Sequence, residues 1–165
     1  MISFRFVLLP AALAAALTAC SSPGPVVGSR AADIAQADSR TETTANGTST
    51  ARTLKAYKED LAQRISETNS TKVYVGHPQA LLRAVVVLKY TVDANGKLLH
   101  SDLVRGNHDA ATESTALASL RKTAPFPKPA PGLLRNGRVE ITETFLFNND
   151  GRFQIRSIAQ AQMEE

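Results

Sequence analysis

The stretch Arg83 to Asp93, RAVVVLKYTVD, alternates in a way that suits a half-buried strand. Ala84, Val86, Leu88, Tyr90 and Val92 share one face, and Arg83, Lys89, Thr91 and Asp93 share the other. A period of two puts successive side chains on opposite sides of a pleat, whereas a helix would scatter these apolar residues around its surface. The chain is therefore expected to build a sheet with one wet side and an apolar layer over the other. Asp93-Ala94-Asn95-Gly96 follows directly. Asn and Gly tolerate positive φ, so the strand is expected to turn back into a hairpin arm from about Lys97 to Arg105. The inward face of that arm is left open by its pattern: Leu99 with Leu103, or Leu98 with Val104.

The remaining segments supply the covering layer and the rest of the sheet. Leu54, Tyr57, Leu61 and Ile65 form one helical face, with Thr53 placed to cap the start and Asn69-Ser70 to end it. A second helix follows Gly106, capped by Asn107 or Asp109, with Ala110, Leu117, Leu120 and Ala124 as its apolar positions. Arg121 and Lys122 suit its negative end. Val139 to Phe147 alternates again, placing Val139, Ile141, Phe145 and Phe147 on one face, with Glu143 as the exception. Asn148-Asn149-Asp150-Gly151 makes a turn, and a last strand is expected from Arg152 to Ile158. The order α-β-β-α-β-β predicts an α+β fold. It is a two-layer sandwich, an antiparallel sheet of three to four strands with two helices packed on one face.

Between the second helix and the third strand lies TAPFPKPAPG, with prolines at 125, 127, 129 and 131. Their spacing of two gives no proline three from another, as a PxxP ligand needs. Folded-looking segments flank the run, and Phe126 is a large apolar side chain within it. The run is expected to stop the helix and then act as a rigid connector, with Phe126 inserted in the core.

The N-terminus has a different character. Residues 1–19 are read as a signal peptide: Arg5, then an uncharged apolar run from Phe6 to Ala19. That run is shorter than the roughly 20 residues of a membrane-spanning helix. Leu17-Thr18-Ala19-Cys20 resembles the bacterial lipobox, and Cys20 is the sole cysteine of the chain. The resemblance implies a lipidated Cys20 as the first mature residue, an anchor in the membrane, and a protein facing the periplasm. Ser21 stands where an aspartate would imply retention at the inner membrane, which favours the outer one. Residues 20–51 are rich in Ser, Thr, Ala and Gly and are read as a lipidated start and flexible tether. The folded domain is expected over 52–158, and 159–165 as a frayed tail.

The segments VVVLKYTVDANGKLLHSDLVRG, SLRKTAPFPKPAPGLL and VEITETFLF, in that order, resemble the TonB/TolA-type C-terminal domain. Val85, Val87, Thr91 and Gly96 lie in its first-strand region, Pro125-Phe126-Pro127 and Pro129 at its connector, and Phe145 and Phe147 in its closing strand. The resemblance implies a non-enzymatic periplasmic domain that binds envelope proteins, adding a partner strand at an exposed sheet edge. The chain departs from TonB in lacking the long apolar anchor with its histidine, and in having a short tether instead of a proline-rich spacer. A protein-binding adaptor without motor coupling follows, with a homodimer as a further partner, and a structural subunit of an envelope assembly or transport complex is the alternative. The last strand, carrying Arg152, Gln154 and Arg156, is expected to be the partner-binding edge.

Catalytic readings find little support. His100-Ser101-Asp102 contains triad residue types, but on a strand His100 and Ser101 point to opposite faces. His100, Asp102, His108 and Asp109 could meet around a metal only if strand and helix ends converged, and surface polarity with a helix cap explains them more simply. Among familiar sequence patterns there is no GxSxG, HExxH or P-loop, so a lipid-anchored cell-wall hydrolase stands as the weakest alternative. No cofactor or metal is expected. The net charge of +4 is spread without a basic run, which argues against a nucleic-acid partner.

Overall fold

The computed structural model describes residues 47–162. Cys20 and most of the expected tether lie outside the described residues. Helix α1 spans Leu54–Thr68 and α2 spans Ala110–Thr123; the strands are β1 (Ala84–Asp93), β2 (Leu98–Arg105), β3 (Arg138–Phe147) and β4 (Phe153–Ile155). They form one antiparallel sheet in the order β2-β1-β3-β4, the expected α+β arrangement with both helices on one face. β1 is the centre. It pairs with β3 without interruption from Ala84↔Phe147 to Asp93↔Arg138.

That register places the core. Val86 lies opposite Phe145, Tyr90 opposite Ile141 and Val92 opposite Val139, all on the helix side and all buried. β4 extends the same layer with Phe153 and Ile155, and Phe153 touches the rings of both Phe145 and Phe147. Helix α1 covers this layer with Tyr57, Leu61, Ala62 and Ile65. Leu54, expected on that face, is half exposed at the first turn.

Helix α2 buries a different stripe from the expected one. Thr112, Ala116, Ser119, Leu120 and Thr123 face inward, while Leu117 is only partly buried. A polar seam with α1 explains the rotation. The Asn69 side-chain amide donates toward the carbonyls of Ile65 (2.8 Å) and Ser119 (3.3 Å) and the Thr123 hydroxyl (3.2 Å). Asn69 therefore ends α1 and ties it to α2, which a hydrophobic count overlooks. Thr53 and Asp109 are the two N-caps.

The uncertain inward face of β2 has a definite answer. The pairing with β1 shifts twice, between Val87 and Leu88 and between Thr91 and Val92. Leu98 and Leu103 consequently both lie on the helix side, opposite Val92 and Leu88, one from each expected pair. Each shift marks a bulge, which adds a residue and breaks simple alternation.

The proline connector is locked from three directions. The Phe126 ring is 3% exposed and stacks on Tyr90 at 5.7 Å. Its N–H donates to the Gly96 carbonyl at 2.8 Å. The Tyr57 hydroxyl donates to the Pro127 carbonyl at 2.7 Å. Gly96 has φ +82°, and a Cβ there would run into the Phe126 carbonyl, so the turn glycine is required twice over. Lys128 forms a parallel bridge with Thr48, and Ala51 is buried. Residues 47–51, within the stretch assigned to the tether, thus lie against the connector. At the other end, Gln162 donates to the carbonyls of Gln79 and Ala80, each at 2.6 Å. Replacing Phe126 with alanine should cost about 3–5 kcal/mol in chemical denaturation, the range for emptying a fully buried aromatic site.

Candidate functional site

A domain of this shape offers partners two sheet edges, and the two are built differently. β4 contributes three residues, shorter than the expected Arg152–Ile158, because the chain turns at once: the Ile158 and Ala159 amides both donate to the Ile155 carbonyl. The Asn148 amide donates to the Arg152 carbonyl and the Arg156 amide to the Thr144 carbonyl, each at 2.9 Å. By antiparallel alternation the Gln154 main chain then faces β3, while Phe153 and Ile155 face outward. The outward side is occupied. Val73 bridges Phe153 in parallel, and the Tyr74 amide donates to the Phe153 carbonyl at 2.9 Å.

Each expected partner-edge residue has a definite place around this cover. Gln154 is buried and donates to the carbonyls of Tyr74 (2.9 Å) and Gly76 (2.6 Å). The Arg152 guanidinium lies 5.2 Å from the centre of the Tyr74 ring and pairs with Asp150 at 2.6 Å. The Arg152 main-chain and side-chain N–H groups hold the Asp150 carboxyl below its usual range. Arg156 is exposed, beyond the end of the strand. The structure thus gathers Arg152 and Gln154 around the covering segment 73–76.

The opposite edge is open. β2 is the end of the sheet, and among the described residues no strand or isolated bridge pairs with its outer side. It is eight residues long. Leu99, Leu103 and Val104 are 48%, 42% and 58% exposed. Within Leu98–Arg105 there is no proline or lysine, two common guards of a free edge; the two register shifts are the guard present. The ladder to β1 is regular from His100 to Leu103. Sequence reading missed this edge because an edge is a property of strand order, and the hairpin pattern alone leaves the second arm free to take another neighbour.

His100, Ser101 and Asp102 lie in this regular portion. His100 and Asp102 share the open face of the sheet, opposite Thr91 and Lys89, with Nε2 and Oδ1 3.0 Å apart. Ser101 points to the helix side with Tyr90, so the three do not assemble. Asp109 is engaged elsewhere. Arg83 reaches both of its carboxylate oxygens, at 2.7 and 3.3 Å, and its carboxyl is held below the ordinary value first by that contact. Among the described residues no three His, Cys, Asp or Glu side chains gather as a metal site.

Glu143 is an acid buried within the core layer. Glu143 lies on the helix side of β3, opposite Leu88, fully out of solvent. Its carboxylate accepts from the Ser157 hydroxyl (2.6 Å) and the Thr144 amide (2.8 Å), with the Lys58 ammonium 3.6 Å away. Burial outweighs these partners and raises its pKa above the ordinary value. The folded state therefore holds this proton more tightly than the unfolded state does. Stability from this group is full below the unfolded value and falls as pH rises through the folded one. Urea denaturation across that interval should show the decline, and Glu143→Gln should flatten it.

Comparison with known proteins gives one similarity. The chain is 34% identical over 71 residues to Protein TonB of Pseudomonas putida. The matched stretch is 43% of this chain and 29% of that protein, so the chain spans under a third of the relative's length. Over that stretch the chain is TonB-like, in agreement with the resemblance carried by the strands and the proline connector. No family model matches, and no solved structure matches.

Proposed function

We propose that this protein is a non-enzymatic, lipid-anchored adaptor of the bacterial cell envelope that binds an extended segment of another envelope protein. The observation that carries the reading is the open β2 edge on a TonB-like domain. An unpaired strand offers alternate N–H and C=O groups to an incoming chain, and the pockets beside them choose its side chains. β2 adds exposed Leu99, Leu103 and Val104 to those groups. On the β4 side the outward carbonyls of Phe153 and Ile155 already accept from Tyr74 and from Ile158 and Ala159, so a strand added there would first have to displace them.

The rest of the reading concerns placement. Lipidation of Cys20 would hold the chain on the periplasmic face of a membrane, with the outer membrane favoured by Ser21. Two acyl chains suffice for stable anchoring at about 0.8 kcal/mol per buried CH₂. The residues between Cys20 and Gly47 would then be the tether, and at 5–6 Å × √n they give a reach of roughly 30 Å. The domain would search for its partner from the membrane surface. No motor coupling is part of this role.

In-cell photocrosslinking tests it directly. A photoreactive side chain at Val104 should attach to one foreign envelope protein, and the same group at Val75, on the covered margin, should not. Attachment from Val75 alone would overturn the choice of edge. Replacing Cys20 with alanine should move the protein from the membrane to the soluble fraction; retention in the membrane would contradict the anchor.

A further inference from the structure

The open edge carries a second message in its side-chain order. From Leu98 to Arg105 the strand reads LLHSDLVR. A two-fold axis perpendicular to a sheet keeps each side chain on its own face, so two antiparallel copies of a strand must centre on a residue that faces itself. Centred on Ser101, His100 faces Asp102 of the second copy, and Leu99 faces Leu103. Centred on Asp102, two carboxylates face each other, which is destabilising. Centred on His100, two imidazoles face each other and Leu98 meets Asp102. One register of the three joins opposite polarity to opposite polarity and leucine to leucine.

The backbone supports that register. His100 and Asp102 both project from the open face, and Ser101 and Leu103 both project from the helix side. The two His100–Asp102 pairs formed about Ser101 are therefore on matching faces. The regular ladder from His100 to Leu103 covers the centre of the pairing, while the two shifts lie toward its ends. Side chains of His100 and Asp102 are 71% and 55% exposed, free to turn from each other toward a second chain. Leu99 and Leu103, both substantially exposed, would be covered by the same event.

We infer that two copies of this chain pair antiparallel through β2 about Ser101, joining two four-stranded sheets into one. The pair is the partner-free form of the edge, and an incoming envelope segment competes with it. The inference uses the same edge as the proposed function but does not depend on any foreign partner.

Sedimentation of the full chain in density-matched detergent tests it, using His100→Glu and Asp102→Lys separately and mixed. The unaltered chain should dimerise. Each substitution removes the two favourable cross-strand pairs and should weaken the dimer roughly tenfold. Mixing the two makes one glutamate–lysine pair beside one original His100–Asp102 pair and should restore the dimer as a heterodimer. Circular dichroism checks that each variant is folded, and both positions are exposed. A monomer at every concentration overturns the inference, as does a dimer indifferent to both substitutions or a mixture that stays dissociated. A monomer that still crosslinks to a foreign protein from Val104 would leave the adaptor reading standing. A dimer with no foreign crosslink would leave this inference standing alone.

Discussion

The seating of Phe126 is the contact on which the architecture depends. Its ring lies on Tyr90 of the central strand, its amide bonds the Gly96 turn, and the next residue's carbonyl takes the Tyr57 hydroxyl from α1. Sheet, hairpin and helix are thereby fixed to one short piece of chain. Proline at 125 and 127 limits the conformations that piece can adopt before folding, which lowers the entropy lost in ordering it. The connector also sets where β3 begins, and so which strand lies beside β1. Strand order in turn decides which arm of the first hairpin becomes an edge.

That edge asymmetry links fold to function. On one side the sheet ends in a short β4 whose outward carbonyls are taken by Tyr74 and by its own following turn. On the other it ends in the longer β2 with apolar side chains exposed. A domain that closes one edge and leaves the other available would present a single direction for strand addition. The bulges in β2 restrict how many residues a visiting strand can match, which favours a defined register over indiscriminate stacking.

Much of this was legible in the sequence, and the parts that were not share a cause. β1 is legible because it alternates over ten residues, and β3 because it alternates from Arg138 to Glu143 before its last three residues are all buried. The caps at Thr53 and Asp109 and the role of Phe126 follow from local chemistry. The buried stripe of α2 differs from the apolar one because Asn69, about fifty residues away in sequence, holds the Ser119 carbonyl and the Thr123 hydroxyl. β2 was ambiguous because two bulges broke its period. The short extent and covered margin of β4 depend on the distant segment 73–76, so Arg152, Gln154 and Arg156 gave no local sign of it. Glu143 looked like an exception to its strand; its partners Lys58 and Ser157 come from a helix and a turn that no strand pattern reveals.

Amide hydrogen exchange, followed residue by residue over a range of protein concentration, is the most direct test of the two unlike edges. The Tyr74 amide, bonded to the Phe153 carbonyl, should exchange slowly at every concentration. Alternate amides of β2, those facing away from β1, should exchange quickly in dilute solution and slow as the protein is concentrated. Slow exchange of those β2 amides in the most dilute sample, together with rapid exchange at Tyr74, would reverse the assignment of open and closed edges and contradict the account.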